Sequence, residues 1–319
     1  VAQVLGRGVS TSRPRHVPGV RQVLTGLGAV AATGAILGGG LFAYGHASLG
    51  DFRLREVTAP VLPAGAEPIR VLHLSDLHLS PDQTHKRRWV SRLVALEPDL
   101  VVNTGDNLSH PMAVRSVLET YGELLERPGV FVFGSNDYHA PRPRNPLRYL
   151  TGRKRAPRPP QLLPWQSLRD GFLTAGWHDL THQRAQIEIN GLRLEFRGTD
   201  DAHMELDDYS RVAGPAAPST QLSIGVTHAP YLRLLDAMTA DGCELLLAGH
   251  THGGQVCLPG GRAIITNCDI EPERVKGLSQ HSVAGRTAHL HVSAGLGNSP
   301  YAPYRLWCPP EATLLTLTA

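Results

Sequence analysis

Cysteine is scarce in this chain. Four occur in 319 residues, Cys243, Cys257, Cys268 and Cys308. No two form a C-x-x-C pair, which argues against a zinc ribbon. Disulfides are open to them outside the cytoplasm; otherwise they read as small buried apolar residues. Charge is sparse too. Asp, Glu, Lys and Arg make up 18% of the chain against 41% hydrophobic residues, a balance that suits a packed core rather than a disordered chain. Acid is absent from residues 1–22, which hold Arg7, Arg13, Arg15 and Arg21. With a net charge of +3 for the whole, the remainder carries −1. A body so close to neutral lacks the clustered Lys and Arg of a nucleic-acid binder, and no nucleic-acid partner is expected.

Charge is missing altogether from Gln22 to Gly45. About 20 apolar residues span the hydrocarbon of a bilayer, and Val23–Tyr44 is rich in Leu, Val, Ala, Ile and Gly. Residues 23–44 are therefore expected to be a transmembrane anchor. Arg13, Arg15 and Arg21 precede it, which puts residues 1–22 in the cytoplasm and the rest outside. A cleaved signal peptide, cut after Ala47, is the rival reading. Glycine recurs between Gly26 and Gly45, which disfavours a soluble helix, at a cost of about 1 kcal/mol per glycine relative to alanine.

Residues 45–67 read as a linker and first strand, and 68–319 as the catalytic body. Apolar, β-rich runs recur at 69–74, 100–103, 130–133, 192–197, 222–226, 245–248, 262–266, 289–293 and 313–318. Helical patterns lie at 86–96, 112–125 and 231–240. Strands that alternate with helices early and follow one another later predict an α/β domain with large mixed sheets. The stretch 140–164 carries Arg142, Arg144, Arg148, Arg153, Lys154, Arg155 and Arg158, many prolines and no acid. It suits a solvated loop, or a basic flap facing the site or anionic headgroups.

The ends of the apolar runs are more specific. Five of them lead within four residues into Asp, Asn or His. The sequences are Ser75-Asp76-Leu77-His78, Thr104-Gly105-Asp106-Asn107, Gly134-Ser135-Asn136-Asp137, Thr227-His228-Ala229-Pro230 and Gly249-His250-Thr251-His252-Gly253. Ligands of open α/β sheets gather at the carboxyl ends of strands, so these groups are expected to converge. Carboxylate and imidazole suit Mn, Fe, Zn or Co, and no thiolate is present to select a softer metal. Two such ions about 4 Å apart serve phosphoryl chemistry.

These ordered motifs resemble those of the calcineurin-like metallophosphoesterases. The apolar leader, Thr227-His228-Ala229-Pro230 and Gly198-Thr199-Asp200-Asp201 are similar to the membrane-associated YkuE/YaeI-like branch. The resemblance implies two packed mixed β-sheets flanked by helices. It implies two divalent ions, one held by Asp76, His78, Asp106 and His252, the other by Asp106, Asn136, His228 and His250, with Asp106 between them. It also implies a phosphate-ester substrate: a monoester, a diester or a sugar-nucleotide pyrophosphate.

The third motif departs from the family's Gly-Asn-His-Asp/Glu. An ungapped alignment puts Ser135 at the metal position and Asn136 at that of the acid histidine, whereas alignment on asparagine makes Asn136 the ligand. Asn136 is preferred, since its amide oxygen is the better donor. His139 and His110 are then the candidate acids. The expected function is hydrolysis of an envelope or lipid-linked phosphate ester at a membrane. The alternatives are hydrolysis of a UDP-diacylglucosamine-like pyrophosphate and a non-catalytic metal-binding membrane protein.

Overall fold

The computed structural model describes residues 38–142 and 161–319. The basic N-terminus 1–22, positions 23–37 of the expected anchor and the Arg-rich positions 143–160 lie outside the described residues. Tyr44–Ala319 form one compact unit, and of the other, Val1–Ala43, residues 38–43 are described and helical. Among the described residues no helix is long and apolar enough to cross a membrane.

In chain order the elements are β1 (Arg53–Pro60), β2 (Ile69–Leu74), α1 (Thr84–Ser91), β3 (Leu100–Asn103), α2 (Ala113–Tyr121), β4 (Gly129–Phe131), α3 (Ser135–Tyr138), α4 (Trp165–Thr174), β5 (His178–Asp179), β6 (Gln183–Ile189), β7 (Leu192–Gly198), β8 (Leu222–Val226), α5 (Leu232–Ala240), β9 (Leu245–Ala248), β10 (Gly277–Val283), β11 (Arg286–Val292) and β12 (Glu311–Thr318). One sheet has the order β1-β12-β2-β3-β4-β5, the other β10-β11-β9-β8-β7-β6. Both are mixed. β2, β3, β4 and β5 run parallel, with β12 antiparallel to β2. β7, β8, β9 and β11 run parallel, and β6 and β10 close the two edges antiparallel. This is the expected α/β arrangement of two mixed sheets with helices outside.

Strand alternation builds the layers. Ile69 and Val71 of β2 face Leu245 and Leu247 of β9 within the core between the sheets. Leu72 and Leu74 turn the other way, onto Val90, Val117 and Phe172 of α1, α2 and α4. Leu246 and Ala248 turn outward onto Leu235 and Met238 of α5. Each such side chain contributes about 1.5–3 kcal/mol when fully buried. Both sheets are therefore covered on both faces, and the parallel strands of each end at one edge of the sandwich.

Some expected elements differ. The helix expected over 86–96 is α-helical to Ser91 and 3-10 over Arg92–Leu96, because Pro98 disfavours helical geometry at Glu97. The helix expected over 112–125 breaks at Gly122, φ 47°, and continues as a 3-10 turn. The strand expected over 262–266 is absent; that stretch is an irregular loop joined to its neighbour by the single bridge Cys257–Ala263. Its pairing goes no further than the Ile264 N–H, which donates to Val256 O (3.2 Å), and Ile264 and Ile265 face solvent.

Candidate functional site

Five parallel strands, β2, β3, β4, β8 and β9, end beside one another, and the loops that leave them continue the ladder. Asp76 N–H donates to Gly105 O (2.9 Å), His78 N–H to Asp106 O (2.9 Å) and Leu79 N–H to Asn107 O (2.8 Å). Across the sandwich, Gly249 N–H donates to His228 O (2.8 Å) and Leu296 N–H to Ser75 O (3.1 Å). The His250 N–H donates to Asp76 Oδ2 (2.9 Å). This lattice holds Asp76, His78, Asp106, His250 and His252 at φ between 41° and 67°. Left-handed backbone costs a non-glycine residue about 1–3 kcal/mol and clusters at functional sites. Here it turns five side chains into one volume.

The structure brings six of the sequence-predicted residues together. His78 Nε2 lies 3.4 Å from Asp106 Oδ2 and 4.0 Å from Asp76 Oδ1. His252 Nε2 lies 3.8 Å from Asp76 Oδ1. On the far side of Asp106, His228 Nε2 is 3.5 Å from Oδ1 and 3.3 Å from His250 Nδ1. Ligand atoms of Asp76, His78 and His252, and of Asp76, Asp106 and His228, each fall within 4.8 Å of one another.

Burial decides the charges. It pushes Asp76 up to about 6 and His78 down to about 4. His250 and His252 are also driven well below their ordinary value by burial. For Asp106 burial pushes upward, but the charge and hydrogen bond of His228, with His78 and Asn136, outweigh it and hold Asp106 well below the usual carboxylate range. His228 accordingly sits well above its ordinary value: burial opposes the charge, and Asp106, Asp201 and Asp76 overcome it. The His228 Nδ1–H donates to Thr104 O at 2.7 Å, which leaves Nε2 for the cluster. Asp76 Oδ1 and both ring nitrogens of His78 are buried without a hydrogen-bond partner. A buried polar atom left unpaired costs about 1–3 kcal/mol. Asp76 Oδ1 and His78 Nε2, 4.0 Å apart, fit a divalent cation as the missing partner.

Asn136 stands at the start of α3. Its backbone N–H and its side-chain amide both donate to Asp106, at 2.7 Å each, and Ser135 Oγ lies 3.4 Å from the same amide. His110 is exposed and lines a cleft of about 480 Å³ whose wall includes His78. His139 is half-buried and pairs with Leu162 only through its backbone. None of the described hydrogen bonds joins its ring to the carboxylates.

Several supporting roles carried no sequence signal. Asp137 accepts the N–H groups of Asp106, Asn107 and Gly134 at 2.8–3.0 Å, clamping two loops to one carboxylate. His203, from a turn after β7, places its ring 4.5 Å from that of His250 and bonds Tyr231 Oη. Asn267 meets His250 Nε2 at 3.2 Å. Buried His73 bonds Thr104 Oγ1 and His291.

A Cβ added at Gly134 would collide with Asp106 Oδ1 and come within 2.6 Å of the His228 ring. Gly134→Ala is expected to lower kcat/KM about a hundredfold, the scale of a misplacement near 1 Å, while the protein stays folded by circular dichroism. Wild-type turnover would show that this close approach is not needed.

Residues 69–254 match the model of the calcineurin-like phosphoesterase family. The chain is 26% identical over 316 residues to the uncharacterized metallophosphoesterase YkuE of Bacillus subtilis, covering 93% of this chain and 96% of that protein. It is 28% identical over 303 residues to phosphodiesterase YaeI of Escherichia coli, covering 91% and 97%. A Bos taurus transmembrane protein with metallophosphoesterase domain is 27% identical over 284 residues, covering 83% and 56%. A dimetal phosphatase from Danio rerio superposes with a TM-score of 0.39 at 10% identity, covering 76% and 90%. With its motifs in order and more than half its length matched, the chain belongs to the calcineurin-like phosphoesterase family, as a dinuclear metal-dependent hydrolase of phosphoric esters.

Proposed function

We propose that the protein hydrolyses a phosphodiester or phosphomonoester of an envelope or lipid-linked substrate, anchored by residues 23–44 with its catalytic domain outside the cytoplasm. One observation carries the hydrolytic reading: unpartnered Asp76 and His78 atoms share a buried volume with Asp106, His228, His250 and His252. Asp76, His78, Asp106 and His252 would hold one ion; Asp106, Asn136, His228 and His250 the other. The two oxygens of Asp106 support a bridging role, since Oδ2 faces His78 and Oδ1 faces His228. Ions bound there would supply Lewis-acid polarisation of a phosphoryl group and activation of water at neutral pH.

The chain's own groups do the rest. Thr104 O fixes the tautomer of His228, and Asn136 orients the Asp106 carboxylate with two donated hydrogen bonds. His110 is favoured over His139 as acid. Its Nδ1 accepts the Met112 N–H at 3.1 Å, so the ring proton sits on Nε2, and the residue lines the cleft that His78 opens into. As imidazolium, the form a proton donor needs, the ring would give up that bond to Met112 and hand a proton to a leaving oxygen. The arginines before the uncharged stretch support the anchored, outward-facing topology. Among relatives, the name of YaeI favours a diester.

The full-length chain in detergent micelles, stripped of metal and resupplied with Mn²⁺, is expected to turn over a chromogenic phosphodiester or its matching monoester. His250→Ala should lose that turnover. Two tightly bound metals without turnover of either ester would favour a binding protein.

A further inference from the structure

The cleft beside the cluster is lined by polar and apolar groups together. Ser80, Asp82, Ser109, His110 and Asn298 line it, with His78. Tyr301 lines it too and is 52% exposed, while Met112 and Leu162, each next in sequence to a lining residue, are 72% and 68% exposed. Three exposed apolar side chains thus lie on or beside the lining segments of a cleft that also offers polar groups. An amphiphile has both characters: a polar head and an apolar chain.

A second observation identifies what lies at the rim. The compact unit begins at Tyr44, at the end of the uncharged stretch Gln22–Gly45. Gly45 O accepts the Arg305 N–H at 2.8 Å, His46 Nδ1 lies 3.0 Å from Pro303 O, and the Tyr44 and Trp307 rings are 6.0 Å apart. Residues 303–307 come directly after Tyr301. A stretch long enough to cross the hydrocarbon thus ends a few residues from the cleft mouth. Tyrosine and tryptophan, both present there, favour the membrane–water interface.

We infer that the cleft mouth rests on a bilayer, with Met112, Leu162 and Tyr301 in the interfacial layer, and that the substrate is a lipid phosphate ester whose head enters the cleft while its acyl chains stay in the membrane. The inference rests on the phosphoesterase reading and narrows its substrate class. The oxygen of water forms the new P–O bond, the ester P–O bond breaks, and the alcohol leaves with a proton. The exposed rim then has a partner, and the lipid never has to leave the bilayer to reach His78.

The test uses the full-length chain in phosphatidylcholine vesicles containing phosphatidylglycerol, a lipid phosphodiester. Spin labels are placed at Met112→Cys, Leu162→Cys and Tyr301→Cys in a Cys268→Ser background, since the other native cysteines are buried. Arg193→Cys serves as control: it is exposed near the amino end of β7, opposite the strand ends that carry the site. The rim labels should be relaxed more by lipid-dissolved oxygen than by a water-soluble nickel chelate, and the control the reverse. Water-like behaviour at all four positions overturns the docking. In the same vesicles, Met112→Gln combined with Leu162→Gln should lower the ratio of kcat/KM for phosphatidylglycerol to that for a soluble chromogenic phosphodiester by about tenfold. An unchanged ratio overturns the role of the rim. No turnover of either ester by the parent chain would overturn the phosphoesterase reading and with it the substrate half of the inference; the labels decide the docking half on their own.

Discussion

Asp106→Asn is expected to lower metal-dependent turnover by about 10³-fold or more. Losing one preorganised electrostatic partner costs an enzyme about 10²–10³-fold, and Asp106 faces two sets of ligands at once. Its Oδ2 approaches His78 and its Oδ1 approaches His228. It is buried and held well below the usual carboxylate range despite that burial, so it is a full anion in place. Asparagine keeps the shape and tolerates left-handed backbone, which Asp106 adopts at φ 55°. The substitution therefore removes charge with little strain. It also sets an amide NH₂ against the two donors of Asn136, which now find one acceptor oxygen where there were two. Metal content by mass spectrometry and kcat/KM on a chromogenic phosphodiester would be measured together. A variant that bound both metals and kept a tenth of wild-type activity would remove Asp106 from the bridge.

The order of the motifs made the metal cluster legible in the sequence. Asp76, His78, Asp106, His228, His250 and His252 each come after an apolar run, and parallel strands deliver such loops to one edge. The interior strands were legible for the same reason: β2, β3, β8 and β9 are buried on every residue or nearly so. Two of the edge strands were not. β6, with Gln183, Arg184, Gln186 and Glu188, and β10, with Ser279, Gln280 and Ser282, alternate polar and apolar residues too weakly to stand out as apolar runs. They are strands because a neighbour supplies the ladder. The same logic fails in reverse at Arg262–Thr266, where a β-rich run makes only a single bridge to its neighbour. The supporting shell was hidden by distance. His203, Asn267 and Arg305 reach the cluster from turns with no periodic pattern, and Asp137 read as a fourth motif letter rather than as a clamp on three N–H groups. One signal does point to part of it: β11 runs into Ala294-Gly295-Leu296-Gly297, another glycine-rich strand end.

Arg305→Met should show how much of the site depends on that last loop. Arg305 is fully buried, and its guanidinium donates to Ala294 O (2.8 Å), Gly295 O (3.2 Å) and Gly297 O (2.5 Å). It also reaches Cys308 O at 3.4 Å and lies 3.3 Å from His252 Nδ1. The loop it holds packs directly on the metal cluster: a Cβ at Gly295 would sit 2.6 Å from that of Asp76, and one at Gly297 2.8 Å from that of His78. Methionine fills much of the volume but leaves Ala294 O and Gly297 O without the donors Arg305 gave them, while Gly295 O keeps the Glu311 N–H. Each unpaired buried carbonyl costs about 1–3 kcal/mol, and relief of the buried cation returns part of it, so a net loss of about 3 kcal/mol is expected. For a unit of this size that lowers Tm by about 6–12 °C. Arg305→Lys keeps the charge but only three donors on a point cation, and should fall between the two. Arg305 also lies against His252 Nδ1, so its loss would alter the hold of that ring on metal. Thermal denaturation with and without Mn²⁺ separates these effects. A smaller metal-induced gain in Tm for Arg305→Met than for wild type would place the arginine's influence at His252, whereas an equal gain on a lowered baseline would confine it to holding the 294–297 loop.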